Sequence, residues 1–296
     1  MKILVTGADG QLGKELLLQG RESGFRLIAA DLPELDVTAA DDVGSAIDRY
    51  RPFLVINAAA YTQVDKAETQ PSLAYRVNAE GPAILAKTCA AAGIALIHIS
   101  TDYVFSGEKN TPYTETDPVA PTGVYARSKA DGEVRVRSLL PRHIILRTSW
   151  LYGVSGHNFV RTMLRLGRER KVIRVVNDQF GSPTSAADLA RTILQIASKI
   201  HRDSAVQWGT YHYCGEGIAS WHEFAEKIFS LAEPYQLFRR PVVQAISTDQ
   251  YPTPAKRPRY SALDCGLIHQ KFGISTRPWP ESLASVMKRI IHADKN

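Results

Sequence analysis

The feature that most constrains this chain is Gly7-Ala8-Asp9-Gly10-Gln11-Leu12-Gly13, which follows directly on the β-branched, apolar run Lys2-Ile3-Leu4-Val5-Thr6. Glycines in a G-x-x-G-x-x-G turn between a strand and a helix allow a positive φ and close backbone approach. The free N–H groups and positive dipole end of the helix are then available to a pyrophosphate. A glycine turn is weak evidence alone, but Asp31 ends the next strand-like run, where an acid accepts hydrogen bonds from adenosine ribose hydroxyls. A carboxylate there repels a 2′-phosphate and no Arg follows it at once, so Asp31 favours NADH. Asn57-Ala58-Ala59-Ala60-Tyr61 adds small residues where a backbone must pass near the dinucleotide.

Beyond the turn, apolar runs alternate with amphipathic stretches. Lys2 to Thr6, Arg26 to Asp31, Phe53 to Asn57, Ala95 to Ser100 and His143 to Thr148 read as strands, and helix-like segments start at Gln11, Asp41, Ser72 and Val124. Near-continuous apolar strands separated by helices are the pattern of a parallel sheet covered on both faces. Right-handed crossovers then lead to an α/β fold with a Rossmann-like, doubly wound parallel sheet. After Trp150 the regularity loosens. Asn158 to Glu169 and Ser185 to Ser198 read as helices around a short strand, Val172 to Val176, and Tyr211 to Cys214 reads as another strand. Ser220-Trp221-His222-Glu223 is a capping-box start, and a proline-rich stretch, Pro241 to Pro258, precedes a last helix near Pro280. The expected division is 1–150 as mainly a dinucleotide-binding domain and 151–296 as mainly a smaller C-terminal substrate-binding lobe, with some segments returning to the sheet. A length of 296 residues suits one large domain with an appended lobe.

Composition narrows the class of partner. Hydrophobic residues at 44% and charged ones at 22% supply a sizeable core and exclude extended disorder. The net charge of +6 arises from scattered basic residues, with short clusters at Arg165 to Lys171 and Arg239 to Arg240 and no polybasic run. A small anionic ligand fits that pattern better than nucleic acid or a membrane surface. Cys89, Cys214 and Cys265 are odd in number and lack CxxC spacing, which points to reduced, buried thiols. The chain opens on a strand without an apolar leader, and no segment approaches the length of a membrane span, so a cytoplasmic location is expected. His98, His157, His212 and His222 show no metal-ligand spacing.

The second chemical signal is Tyr125 with Lys129, a Y-x-x-x-K pair whose spacing puts both side chains on one helix face. Reducing a ketone needs a proton donor at the oxygen, and a free phenol with a pKa of about 10 is a poor acid-base group at neutrality. The Lys129 ammonium is therefore expected to stabilise the phenolate and lower the Tyr125 pKa, with its other donors available to the nicotinamide ribose. Thr101, just past the strand Ala95 to Ser100, is placed to hydrogen-bond the same oxygen, because ligands of open α/β sheets bind beyond strand carboxyl ends. A surface Tyr and Lys on an ordinary helix also match the spacing; the glycine turn and Thr101 are what give the pair weight.

With these residues in place the chain resembles the extended short-chain dehydrogenase/reductases. Asn57 to Thr62 followed by Val64-Asp65-Lys66-Ala67-Glu68, then Ser100 to Phe105, Arg147-Thr148-Ser149-Trp150, Asn177-Asp178-Gln179 and Tyr251 to Ala255 with Arg257-Pro258 narrow the resemblance, over nearly the whole chain, to the dTDP-4-dehydrorhamnose reductase family. That resemblance implies NADPH- or NADH-dependent reduction of the C4 ketone of dTDP-4-dehydro-L-rhamnose to dTDP-L-rhamnose, with Tyr125 as proton donor. Beside Gly7 and Gly13 of the turn, it implies cofactor contacts at Gly10, Gln11, Leu12, Asp31, Asp36, Val37, Ala60, Tyr61, Thr62, Tyr125 and Lys129, and sugar contacts at Thr101, Asp102 and Trp150. Trp150 has a reading of its own: an indole stacks on a pyranose face or fills a core equally well. Some family members bind Mg2+ and dimerise through carboxylates near the C-terminus. Here that helix is lean in acids, with Glu281 and then Asp294, so Mg2+ is not supported and the assembly stays open between monomer and homodimer. Other readings share these residues. An epimerase or another nucleotide-sugar reductase uses the same turn and pair, whereas a dehydratase needs an acid and a base beside Thr101, and Asp102 is followed by Tyr103. A non-catalytic dinucleotide-binding regulatory subunit is opposed by the intact Tyr125, Lys129 and Thr101.

Overall fold

Ile3 and Val5 of the first strand turn to one face of a central sheet and Leu4 to the other, and all three are fully buried. This is what an apolar strand covered on both sides requires. The structure, a computed structural model, describes residues 1–203 and 205–293. It comprises β1 (Lys2–Thr6), α1 (Gln11–Gly20), β2 (Arg26–Ala30), α2 (Ala40–Tyr50), β3 (Leu54–Asn57), α3 (Gly81–Ala92), β4 (Ala95–Thr101), α4 (Val124–Leu139), β5 (His143–Thr148), α5 (Phe159–Glu169), β6 (Val172–Val176), α6 (Ala186–Arg202), β7 (Gly209–His212), α7 (Trp221–Ala232), β8 (Val242–Ile246), α8 (Gly266–Phe272) and α9 (Trp279–Ala293), with short helices, two-residue strands and turns between them.

Six strands pair in the order β7-β5-β4-β3-β1-β2, all parallel. The order reverses at β1, flanked by β2 on one side and β3 on the other, and a ligand crevice opens beyond the carboxyl ends of strands at such a point. On one face Leu12 and Leu16 of α1 and Leu189, Ile193 and Ile196 of α6 pack on Ile3, Val5, Ile56 and Ile97. On the other, Val43 and Ile47 of α2, Leu85 and Cys89 of α3 and Val136 of α4 cover Leu4, Val55, Leu96 and Ile145. Each fully buried Leu or Ile contributes about 1.5–3 kcal/mol. The doubly wound α/β fold expected from the sequence is the fold observed.

A second core, built from Val160, Met163, Ile173, Phe224, Phe229, Leu283 and Met287, joins α5, β6, α7 and α9 beside the carboxyl edge of the sheet. α6 and β7 come from the later part of the chain yet lie in the layers of the main sheet. The capping box at Ser220 is present with both hydrogen bonds, and Asn158 caps α5 by accepting from the Arg161 N–H. Two elements depart from the reading. The proline-rich stretch contains strand β8, whose Val242 to Ile246 pair in parallel register with Val172 to Val176, and the short helix α8 follows it. Asp294 lies outside the described residues, and no helix among the described residues is long and apolar enough to cross a membrane.

Candidate active site

The turn after β1 is shaped as its glycines demand. Gly7 has φ +69°, and a Cβ there would lie 2.5 Å from the Ala59 nitrogen; at Gly13 it would lie 2.3 Å from the Gly7 carbonyl oxygen. Backbone cannot yield to such contacts, so the turn is pressed against the end of β3 and the first turn of α1 stays bare. No side chain caps the α1 N-terminus at Gly10, which leaves the N–H groups and dipole that bind anions. Asp31, beyond β2, accepts from the Asp9 N–H at 2.8 Å and the Leu32 N–H at 2.9 Å, fixing its carboxylate beside the turn. Gly13→Ala is expected to weaken dinucleotide binding by at least ~10-fold and to cost about 1–3 kcal/mol of stability from overpacking. Fluorescence titration with reduced cofactor and thermal unfolding check it; unchanged affinity would mean that the turn is only a turn.

A cavity of about 740 Å³ opens over the ends of β1, β3, β4 and β5. Gly7, Gly10, Gln11, Leu12 and Gly13 line one part of it, Ala60 and Thr62 a second, and Thr101, Asp102, Tyr125, Lys129 and Trp150 the remainder. The dinucleotide turn and the Tyr-Lys pair, more than a hundred residues apart in sequence, thus face one space. Its chemistry fits a nicotinamide dinucleotide: a bare helix N-terminus and, farther in, an ammonium, with the Asp31 carboxylate held outside the lining by the Asp9 N–H.

Tyr125 enters from the first turn of α4, with its ring edge-to-face on Tyr103 at 5.8 Å. Burial pushes its phenol up to about 12, while the Thr101 hydroxyl beside it pulls down and Asp102 pushes up. This reverses the expected direction. Lys129, one turn on, donates its Nζ to the Ile99 carbonyl at 2.6 Å, so its first hydrogen bond goes to the backbone of β4. Burial lowers the Lys129 ammonium to about 8, against a small opposing pull from Glu133. A phenol held at about 12 is a firmly protonated group, the state a proton donor to a ketone must be in.

Buried polar contacts that periodicity could not reveal hold α4 in place. The Glu68 carboxylate accepts the Val124 N–H at 2.8 Å and so caps the helix at the residue before Tyr125. Asn78 donates to Ser128 at 3.1 Å and accepts from the Tyr61 N–H at 2.8 Å. Glu133, fully buried, takes two hydrogen bonds from Arg147 of β5, at 2.9 and 2.7 Å, and a third contact from Arg137. Burial pushes the Glu133 carboxyl up, but the Arg147 guanidinium holds it below the usual carboxylate range. Asp65, three residues before Glu68, pairs with Arg257 at 2.7 Å and so ties the loop after β8 to the rim of the cavity.

Of the expected cofactor residues, Asp31, Asp36, Val37 and Tyr61 do not line this cavity. Asp36 is occupied by Thr38, whose N–H and hydroxyl both donate to it at 2.8 Å, Val37 is buried beneath Gly81, and Tyr61 donates its hydroxyl to Gln70. Trp150 borders the cavity at φ +45°, with one indole face stacked on Trp221 at 3.5 Å. Cys89, Cys214 and Cys265 are free thiols, the last two with sulfurs 3.5 Å apart. Among the described residues no group of three or more His, Cys, Asp or Glu is arranged to hold a metal ion, and Arg289 of α9 pairs with Glu15 of α1 at 2.8 Å.

A parallel sheet of this order, with the turn after its first strand and a Tyr-Lys helix behind its fourth strand facing one crevice, belongs to the extended short-chain dehydrogenase/reductases. The family defined by the RmlD substrate binding domain matches residues 1–291. A dTDP-4-dehydrorhamnose reductase of Aggregatibacter actinomycetemcomitans is 46% identical over 287 residues, 96% of this chain and 98% of its own. The solved dTDP-4-dehydrorhamnose reductase of Clostridium acetobutylicum superposes with a TM-score of 0.91 at 42% identity, covering 98% of this chain and 100% of its own. That of Bacillus anthracis, solved in complex with NADP, gives 0.90 at 39% identity, covering 97% and 99%. The chain belongs to the dTDP-4-dehydrorhamnose reductase family.

Proposed function

We propose that the chain reduces the C4 ketone of dTDP-4-dehydro-L-rhamnose to dTDP-L-rhamnose. The observation that carries this reading is the convergence of the Tyr125 phenol and the Thr101 hydroxyl on the same cavity as the glycine cradle. Gly7, Gly10, Gln11, Leu12 and Gly13 hold the pyrophosphate at the α1 N-terminus, Asp31 takes the adenosine ribose, Ala60, Tyr61 and Thr62 flank the dinucleotide, and Lys129 reaches the nicotinamide ribose. When bound, the reduced nicotinamide supplies the hydride. Thr101 orients the ketone oxygen, and Tyr125 gives it a proton as negative charge develops there. Asp102 and Trp150 border the sugar. A smaller apolar annex of about 280 Å³ shares Phe159, Trp221 and Arg257 with the main cavity and receives the nucleotide end, its diphosphate near the Arg257 guanidinium.

We assign the chain to the cytoplasm, acting as a monomer or homodimer on a small molecule, with residues 1–150 mainly serving the dinucleotide and the later part mainly the substrate. Either NADPH or NADH serves; the fixed Asp31 carboxylate favours NADH, whereas the Bacillus anthracis relative was solved with NADP. Mixing the protein with dTDP-4-dehydrorhamnose and each reduced cofactor is expected to bleach the cofactor absorbance, and the ratio of rates gives the preference. Folded protein that consumes neither cofactor refutes the reading.

A further inference from the structure

We propose that Cys214 and Cys265 form a site of reversible thiol–disulfide exchange: with a small disulfide of the glutathione kind they close an intramolecular bond that staples the chain after β7 to the start of α8. Neither residue lines the cavity of the Tyr-Lys pair, and the proposal is independent of the reductase reading.

The three thiols of the chain sit in different settings. Cys89 is fully buried in α3, in a core with Leu85, Leu96 and Val136 that contains no second thiol. Burial pushes its thiol up to about 12, which suppresses the reactive thiolate. Cys214 and Cys265 instead touch, their sulfurs 3.5 Å apart. A disulfide bond is about 2.05 Å long, so closure asks the two sulfurs to approach by roughly 1.5 Å, a displacement that side-chain rotation supplies.

The backbone fixes this meeting of residues 51 positions apart. The Tyr113 carbonyl accepts from the Asp264 N–H at 2.8 Å and from the His212 ring Nδ1 at 3.0 Å, so one oxygen holds the neighbours of both cysteines. The Tyr113 N–H donates in turn to the Ala262 carbonyl at 2.9 Å, and the Tyr113 ring stacks on Phe105 at 4.3 Å. The Cys214 thiol donates to the Leu263 carbonyl at 3.6 Å, across the same junction. Val104, Phe105, Ala130 and Leu263 pack around Cys214.

Exposure sets the order of events. Cys214 is 2% exposed, whereas Cys265 is half-buried between exposed Asp264 and Gly266. Cys265 therefore meets the small disulfide first. Its sulfur, after losing its proton to water, attacks one sulfur of the reagent; the reagent S–S bond breaks and a small thiolate leaves, taking up a proton. The Cys214 sulfur then attacks that of Cys265, the mixed disulfide breaks, and the second small thiolate departs with the proton that Cys214 gives up. The protein has lost two hydrogens and two electrons, and the reagent has gained both as two thiols. An excess of small thiol runs the same steps backwards.

Exposure of the wild-type protein to oxidised glutathione, followed by denaturation, alkylation and peptide mapping, tests the proposal. The expected result is one peptide pair joined through Cys214 and Cys265, loss of two of the three alkylatable thiols with Cys89 the survivor, and recovery of all three on reduction. Cys214→Ser is expected to stop at a glutathione adduct on Cys265 that the wild type does not accumulate. Because the link closes a long loop of the unfolded chain and the sulfurs are already in contact, the oxidised wild type is expected to unfold at higher urea than the reduced protein. Three free thiols after exposure, loss of the Cys89 thiol, a wild type that stops at the adduct, or an oxidised form less stable than the reduced one overturns the proposal. All four of these outcomes are read on the wild type, so the test stands even if Cys214→Ser fails to fold.

Discussion

Tyr125→Phe is expected to lower kcat by about 100- to 10,000-fold, the usual contribution of a positioned general acid, with little change in stability or cofactor affinity. The lost atom is the phenolic oxygen alone. The ring remains, still edge-to-face on Tyr103 and still anchored by a helix whose cap comes from Glu68. Because burial holds the phenol at about 12, the wild-type group is protonated throughout the working range, and the loss in the variant is expected to be the same at pH 6 and at pH 8. Steady-state cofactor oxidation measured beside cofactor fluorescence titration separates the two effects. A loss below about tenfold with intact binding would assign the proton transfer to another group.

Arg147→Met carries the largest expected effect on stability, a loss of about 3–5 kcal/mol. The change leaves Glu133, fully buried, with the half-exposed Arg137 as its remaining cationic partner among the described residues, beside the Ser100 hydroxyl. At about 2 °C per kcal/mol for a chain of this size, the unfolding midpoint falls by about 6–10 °C. The double variant Glu133→Leu with Arg147→Met is expected to recover most of that loss, because the cost lies in the stranded charge and not in the pair as such. Urea unfolding of wild type and both variants decides the matter: equal stability of single and double variants would show that the pair is not what holds α4 to β5.

The parts of the molecule that were legible in the sequence are those written locally. The strands from Lys2 to Thr148 repeat apolar residues over four to seven positions, and the glycine turn, the Y-x-x-x-K pair and the Ser220 capping box each announce themselves within a few residues. What was illegible depends on partners far along the chain. β8 is a strand because Val172 to Val176 lie beside it, and no alternation within a proline-rich stretch could say so. The same holds for Glu133 with Arg147, Asp65 with Arg257 and Glu68 with the Val124 N–H: each pairs a single charge with a group the sequence does not place. The direction of the Tyr125 shift was missed for a related reason. Burial of the phenol between α4 and the sheet raises it, and although a spacing of four brings Lys129 to the same helix face, the Ile99 carbonyl of the sheet takes the first Lys129 hydrogen bond.

The four-residue helix Val64–Ala67 and the residue after it carry both Asp65 and Glu68, one holding the loop of Arg257 and the other the end of α4. Three residues of helix span about 4.5 Å, so the loop of Arg257 and the helix of the proposed proton donor are bolted to one footing. Thermal drift of that footing carries both together and leaves their spacing intact. Alignment between the Tyr125 phenol and the Arg257 guanidinium is thereby referenced to a common datum, and it does not accumulate the slack of the long stretch of chain that separates the two residues.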